Sequence, residues 1–372
     1  MKKAMKTVGI VLIAVVTIAA VVVGVILGKT VFVKHPELKG NPETGKWYRI
    51  TPEGTISSDG SEWHGLIRVG TENKVIVYFF GGGASINGYT SEHGKEFYAT
   101  TAQVQDFVAS GGIGSTSEDN PFRDWTFLVL PYASGDFHSG TGEYHYMNGG
   151  KENVVYHKGY SNYSAFMDAA MPYVGNPDTL LITGFSAGGF AASLLADDVI
   201  DRFPSAENVT VCVDSSLLLY DGWHETADKL WHTPAIIAER LISDNLVLDS
   251  LTALHNKRGD TVKILFDCSC RDDTLQQYQA YIRTGTMTKS KENGDLFQED
   301  LAEMVDGLQE NVPGVGIYIW KYGEDPETRN TQHTIISSNV FDKLEDDVSI
   351  AEWIYAAVDG NVQCHGTELL GR

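Results

Sequence analysis

The segment G-F-S-A-G at residues 184–188 constrains the fold of this chain more than any other feature. It follows the apolar run 179–183 and precedes 189–196, a stretch typical of a helix. The glycines on either side of Ser186 let the backbone turn sharply and let a strand and a helix pack closely. The pattern therefore predicts a strand, a tight turn and a helix, with the Ser186 hydroxyl exposed at the edge of a sheet.

Strand-like and helix-like segments alternate through the rest of the chain, which predicts an α/β fold with a doubly wound, mostly parallel sheet. Two segments at 47–51 and 66–69 are typical of an antiparallel hairpin. The predicted core strands are 74–80, 125–131, 179–183, 208–213, 262–266 and 316–320. The predicted helices are 164–173, 188–202, 275–284 and 297–310.

The N-terminus predicts a membrane anchor. Three lysines precede a run without charge from Thr7 through Gly28, long enough to span a bilayer as a helix. We expect a cytoplasmic stub and transmembrane helix over 1–29, a linker over 30–46, and an α/β domain over 47–372 with a helical cap at about 215–258. The catalytic domain of such a single-pass protein is expected outside the cell. A cleaved signal peptide would make it secreted instead.

Charge and cysteine content exclude some classes of function. The net charge of −21 repels phosphates, so we expect no nucleic-acid partner. The Cys268-x-Cys270 spacing is too short for a zinc site, and no other ligand spacing predicts a metal. Buried thiols are expected there, while Cys364 is a candidate for a disulfide outside the cell.

The pentapeptide at 184–188 resembles a nucleophile elbow, which requires an oxyanion hole, an acid and a histidine base. The strand 74–80 ends in a glycine triplet, which makes the backbone N–H groups of Gly82, Gly83 and Ala187 the predicted oxyanion donors. The acid is expected after the strand 262–266, and the base after 316–320. The candidate acids are Asp272 and Asp273, either of which would alternatively only cap a helix; the candidate bases are His333 and His365. Two further histidines, His138 and His145, are candidates for lining the cleft.

An ordered set of motifs resembles the pectin acetylesterase family. The set comprises F-G-G-G at 80–83, P-Y-A-S-G-D-F-H-S-G at 131–140, the elbow G-F-S-A-G-G, D-S-S at 214–216, D-T-L-Q at 273–276 and H-T-I-I at 333–336. The resemblance spans roughly residues 47 to 365. It selects Asp273 over Asp272 and His333 over His365, and so implies a catalytic triad of Ser186, Asp273 and His333 in an α/β-hydrolase fold.

The resemblance implies a serine esterase that removes acetyl groups from a polysaccharide without a cofactor. Ala84-Ser85, Ala133 and Phe185 depart from the family pattern, in part by replacing cysteines. Because the loops that those cysteines brace shape the pocket, a long-chain acyl deacylase or lipase-like esterase is an alternative. A non-catalytic carbohydrate-binding surface protein on a hydrolase scaffold is another.

Overall fold

A computed structural model of the chain describes residues 34–103, 105–345 and 348–371. The strands are β1 (Trp47–Ile50), β2 (Gly65–Arg68), β3 (Lys74–Phe79), β4 (Thr126–Leu130), β5 (Gly142–Asn148), β6 (Lys151–His157), β7 (Thr179–Phe185), β8 (Asn208–Asp214), β9 (Val262–Ser269), β10 (Gly316–Trp320), β11 (Leu344–Glu345) and β12 (Val348–Ser349). The α-helices are α1 (Gly88–Glu92), α2 (Gly94–Phe97), α3 (Gly159–Ala170), α4 (Ala187–Arg202), α5 (Trp223–Glu225), α6 (Ala235–Ala238), α7 (Leu246–Arg258), α8 (Leu275–Thr284), α9 (Lys291–Asn311) and α10 (Ile350–Val358). Short 3₁₀ turns and one π-helical turn, Thr226–Leu230, connect several of them.

Eight strands form the central sheet in the order β1-β2-β4-β3-β7-β8-β9-β10. The pairs from β4 to β10 are parallel, whereas β1 with β2 and β2 with β4 are antiparallel. This mixed, mostly parallel α/β sheet confirms the predicted fold class and the predicted hairpin. Consecutive residues of β4 and β10 are all buried, as is required when both faces of a sheet are covered.

Local sequence explains where the elements begin and end. The strand β7 extends to Phe185, two residues beyond the predicted 183, because it continues pairing with β8 up to Asp214. Helix α9 begins at Lys291 rather than at 297, since the Ser290 hydroxyl accepts the Asn293 N–H at 3.1 Å and caps the first turn. The hairpin of β5 and β6 was not predicted; it is separate from the main sheet and its strands are largely exposed.

The predicted transmembrane segment 1–29 lies outside the described residues. Among the residues that are described, no helix is both long and apolar enough to cross a membrane. Part of the predicted linker is packed on the domain: Leu38 donates its N–H to the Arg49 carbonyl at 2.8 Å, and Arg49 donates to Pro36 at 2.8 Å.

An ion-pair cluster joins α4, the helix that follows Ser186, to the segment predicted as a cap. Asp197 of α4 is 4% exposed. Its carboxylate accepts from Arg240, Lys257 and Arg258 at 2.6 to 3.0 Å. Burial raises the pKa of Asp197, but the Lys257 and Arg258 cations outweigh it and the net pKa is lowered. The charged carboxylate therefore fixes α7 beside the helix that carries the turn at Ser186.

We predict that Asp197→Ala lowers the free energy of unfolding by about 3–5 kcal/mol, because it leaves three cations without their buried partner. Asp201→Ala is the matched control: its side chain, 62% exposed, also contacts Arg258, and its removal should cost about 1 kcal/mol or less. Urea unfolding measured on both variants checks this. Equal losses would show that the buried cluster contributes no more than a surface pair.

Candidate active site

Ser186 stands at a strained turn between β7 and α4. Its backbone has φ 54° and ψ −128°, a conformation that residues with a side chain rarely adopt. Glycine is required on both sides: a Cβ on Gly184 would lie 2.1 Å from the Gly188 carbonyl oxygen, and one on Gly188 would lie 2.0 Å from that of Phe79. The predicted strand, turn and helix are confirmed, and Ser186 is 8% exposed.

The glycine triplet forms a loop directly against this turn. A Cβ on Gly81 would lie 2.6 Å from the Ser186 Cβ. Gly83 has φ 83°, and a Cβ there would lie 2.0 Å from the Phe97 carbonyl oxygen, so no larger residue fits. Within the described residues the N–H groups of Gly82, Gly83 and Ala187 donate to no acceptor. These donors are therefore available beside the serine.

His333 pairs with Asp272, and the sequence prediction of Asp273 as its partner is wrong. The His333 Nδ1 and an Asp272 carboxylate oxygen are 2.7 Å apart, and Asp272 is fully buried. The other Asp272 oxygen accepts the N–H groups of Thr274 and Leu275 at 3.0 and 2.8 Å. Asp272 thus caps α8 and contacts the histidine with the same carboxylate.

Asp273 faces outward instead. Its side chain is 30% exposed and forms an ion pair of 2.7 Å with Lys289. The two aspartates are adjacent, so spacing along the sequence does not separate them. The difference arises because the turn after β9 directs one side chain inward, where a parallel bridge to Thr331 brings Asp272 beside the histidine loop.

The electrostatics of His333 suit a proton acceptor. Burial lowers the pKa of the imidazole, but the neighbouring Asp272 carboxylate outweighs burial, and the net pKa is raised above the usual value. With Nδ1 hydrogen-bonded to Asp272, the Nε2 atom is left buried and without a partner among the described residues. It does not bond to Ser186 here, as is common before substrate binds.

Asp214 connects the serine turn to the histidine loop, a connection that the sequence analysis missed. Its backbone carbonyl accepts the Ser186 N–H at 2.9 Å. One oxygen of its buried carboxylate accepts the N–H groups of both Ile335 and Ile336, each at 2.9 Å. The D-S-S segment at the end of a core strand was the only signal in the sequence for this role.

The remaining histidine candidates lie elsewhere. His365 pairs its backbone with β10, accepting from Ile319 and donating to Ile317. His138 is fully buried with its Nε2 2.9 Å from the Phe80 carbonyl oxygen, and burial lowers its pKa to about 4. His145 is on the exposed hairpin, beside Glu143 and Glu152.

Most of the cysteines lie in the interior of the domain. Cys212 and Cys268 are buried free thiols, and Cys364 is an exposed free thiol; Cys270 is buried. No group of side chains that could hold a metal ion occurs within residues 34–103, 105–345 and 348–371.

A small apolar cavity of about 10 Å³ adjoins Ser186. Its lining residues are Gly83, Ala84, Phe137, Ser186, Ala187, Phe190, Leu218, Thr274, Leu275 and Tyr278. The glycine loop, the start of α4 and the start of α8 therefore meet around it. The segment 215–258, predicted as a cap, contributes Leu218 to its wall.

The mostly parallel sheet and the strand, turn and helix at Ser186 are those of an α/β-hydrolase-like fold. Residues 53–229 match the family model Pectinacetylesterase, which confirms the resemblance drawn from the motifs and, at the level of the family, the predicted class of carboxylic ester hydrolase. No curated protein sequence matches the chain.

Solved structures are similar to this chain in fold. Two crystal forms of the Wnt deacylase Notum from Drosophila align over 86% of the chain. The first gives a TM-score of 0.63 at 18% identity over 96% of the Notum chain. The second gives 0.59 at 16% identity over 98% of it.

We predict that Asp272→Asn lowers kcat for an acetate ester by about 10³- to 10⁴-fold, because an amide cannot hold the imidazole in its working tautomer or stabilise its charged form. The acid limb of the pH–rate profile should also move to lower pH, since the carboxylate that raises the pKa of His333 is removed. Measurement of kcat from pH 4 to 9 checks both.

Asp273→Asn is the matched control. This exposed carboxylate is paired with Lys289, so its removal should change kcat by about threefold or less. If Asp273→Asn were the more damaging substitution, the assignment of Asp272 would be incorrect.

Proposed function

We propose that this protein is a serine carboxylic ester hydrolase that removes short acyl groups, acetyl above all, from a polysaccharide. The observation that carries the proposal is the small cavity beside Ser186, together with a histidine whose Nδ1 is held by a buried carboxylate and whose Nε2 is unpartnered. The family match favours the same chemistry.

The reaction would begin at the serine hydroxyl. His333 Nε2 takes the proton from the Ser186 Oγ as the oxygen attacks the ester carbonyl carbon. The carbonyl oxygen gains negative charge, which the N–H groups of Gly82, Gly83 and Ala187 stabilise, each by about 3–4 kcal/mol where such donors have been removed. Asp272 stabilises the imidazolium that forms.

Collapse of the tetrahedral intermediate breaks the bond to the alcohol oxygen. The imidazolium returns its proton to that oxygen, and the alcohol leaves an acyl-enzyme on Ser186. Water, deprotonated by the same Nε2, then attacks the acyl carbon; the acid is released and the serine hydroxyl is restored. Atoms and charges balance with water as the only co-reactant.

The cavity size favours acetyl over longer acyl groups. Its volume of about 10 Å³ is roughly what one water molecule requires by the same measure. Bulky side chains close it: Phe137, Phe190 and Leu218 are each at most 3% exposed. To enter this cavity, an octanoyl or palmitoyl chain would have to displace packed core residues, so a long-chain deacylase is the less favoured function.

The proposed location is outside the cell, on the membrane or secreted. Its support is the uncharged run from Thr7 through Gly28 behind three lysines, which is long enough to span a bilayer.

We predict that Ser186→Ala abolishes turnover of a chromogenic acetate ester, because the acyl-enzyme cannot form. His333→Ala should lower kcat by about 10⁴-fold or more. His365→Ala, which alters a histidine held beside β10, should retain nearly the full rate. Steady-state kinetics of the three purified variants check this, and a fluorophosphonate probe should label every variant with an intact triad.

Substantial activity in Ser186→Ala would contradict the mechanism. If the unaltered protein reacts with neither the fluorophosphonate probe nor the acetate ester, a non-catalytic carbohydrate-binding protein on this fold is favoured instead.

We predict a steep decline in kcat/KM from acetate through butyrate to octanoate esters, by about tenfold or more for each added methylene that the cavity must reject. Leu218→Ala enlarges the cavity and should increase the butyrate-to-acetate ratio by at least about tenfold. Leu219→Ala is the matched control, since this neighbour does not line the cavity.

A series of esters with one leaving group measures these ratios. Equal activity of the unaltered enzyme on acetate and octanoate would support the long-chain alternative.

A further inference from the structure

A second, larger concavity adjoins the serine turn. This groove has a volume of about 620 Å³, within the range of sites that hold a small ligand. Its lining residues are Phe80, Gly81, Gln105, Phe107, Val108, Gly111, Gly112, Ser115, Ser117, Asn120, Phe185, Ser337, Ser338, Asn339, Phe341 and Asp342.

The groove and the acyl cavity meet at the catalytic turn but share no lining residue. Phe185 lines the groove, and the next residue, Ser186, lines the cavity. Gly81, at the inner end of the groove, lies against Ser186. A substrate whose acyl group enters the small cavity therefore has the large groove available for the remainder of the molecule.

The outer wall of the groove continues from the histidine loop. Residues 337–342 begin four positions after His333. The loop is held against the opposite wall by the Ile113 N–H, which donates to the Ile336 carbonyl at 2.9 Å. Because the histidine must return its proton to the departing oxygen, the alcohol has to leave on the histidine side. Residues of the loop after His333 line the groove, which makes it the candidate place for the alcohol.

The lining chemistry resembles that of a sugar site. Phe107 lines the groove and is 41% exposed. Hydroxyl and amide side chains surround it, and the Ser337 hydroxyl makes no hydrogen bond within the described residues. Aromatic rings pack against the C–H faces of sugars, while hydroxyl and amide groups bond to their hydroxyls.

The charge of the groove separates two classes of sugar chain. Among the described residues that line it, Asp342 alone carries a charge, and that charge is negative. A chain of uronate units would bring one carboxylate per residue beside it without any cation to pair with. The chain as a whole carries −21, which adds to the repulsion.

We propose that the groove lined by Phe107 and Asp342 binds the sugar portion of the substrate and selects an uncharged, acetylated glycan over an acetylated polyuronate. This inference rests on the proposed esterase function. It assigns Phe107 as a residue that binds the leaving group and Asp342 as one that discriminates against anionic chains.

The test compares three substrates on the full enzyme: ethyl acetate, whose alcohol is too small to fill the groove; acetylated xylo-oligosaccharides, which are neutral; and acetylated oligogalacturonates, which are anionic. We expect kcat/KM for the neutral oligosaccharide to exceed that for the anionic one by about tenfold or more. Acid release is followed by titration at constant pH.

Phe107→Ala should increase KM for the neutral oligosaccharide about fivefold relative to KM for ethyl acetate, with kcat less affected. Tyr89→Ala is the matched control, because Tyr89 is an exposed aromatic residue outside the groove. Asp342→Lys should increase the ratio of kcat/KM for the anionic oligosaccharide to that for the neutral one about tenfold. This increase should become smaller as salt is added. The exposed Glu53→Lys controls for the change in total charge.

The outcomes separate the two proposals. If the unaltered enzyme hydrolyses none of the three esters, the esterase function fails. If it hydrolyses at least one, and Phe107→Ala and Asp342→Lys behave like their controls, or oligogalacturonates are preferred, the groove proposal is overturned while the esterase function stands.

Discussion

The buried carboxylate of Asp214 is the interaction on which the rest of the site depends. Asp214 is the last residue of β8, next to the strand that precedes Ser186. Its carboxylate accepts the N–H groups of Ile335 and Ile336 in the loop that follows His333. The serine and the histidine come from segments about 150 residues apart in the chain. The Asp214 carboxylate accepts from the histidine loop, and the Asp272 carboxylate contacts the histidine itself. A displacement of about 1 Å between such groups can cost 100-fold in rate.

A second buried carboxyl lies beside Asp214 in the sheet. Asp267 is its register partner on β9, and burial raises the pKa of both groups, with the Asp214 charge raising that of Asp267 further. Asp214 receives stronger donors: Ser215 at 2.6 Å and two backbone N–H groups at 2.9 Å, against Trp320 at 3.4 Å for Asp267. Burial and the Asp214 charge thus raise the pKa of Asp267 well above its usual value, whereas the donors on Asp214 favour the charged form of the carboxylate that binds the histidine loop.

Sequence reasoning predicted the fold and the serine turn because both depend on local pattern. Apolar runs, glycines at fixed spacing and the chain order of the motifs give the parallel strands and place Ser186 and His333 at one edge of the sheet. It selected Asp273 instead of Asp272 as the partner of His333, because the answer depends on which of these two adjacent side chains the turn after β9 directs inward. It also missed the hydrogen bonds of Asp214 to the histidine loop, because these depend on tertiary contacts. The β5–β6 hairpin was missed because its strands lack an apolar pattern.

The departures from the family pattern acquire a physical meaning in the structure. Ala84 and Ala133 are both buried. Ala84 lines the cavity beside Ser186, and the volume of this cavity is only about 10 Å³ although alanine is a small residue. The cavity is closed by Phe137, Phe190 and Tyr278, which come from three other segments. Phe185 instead faces the groove and packs with Tyr78 and Phe80. The chain therefore divides its space unequally around Ser186, with about 10 Å³ on one side and about 620 Å³ on the other. Under the proposed function, in which the small side takes the acyl group, the selectivity comes from the leaving group rather than from the acyl chain.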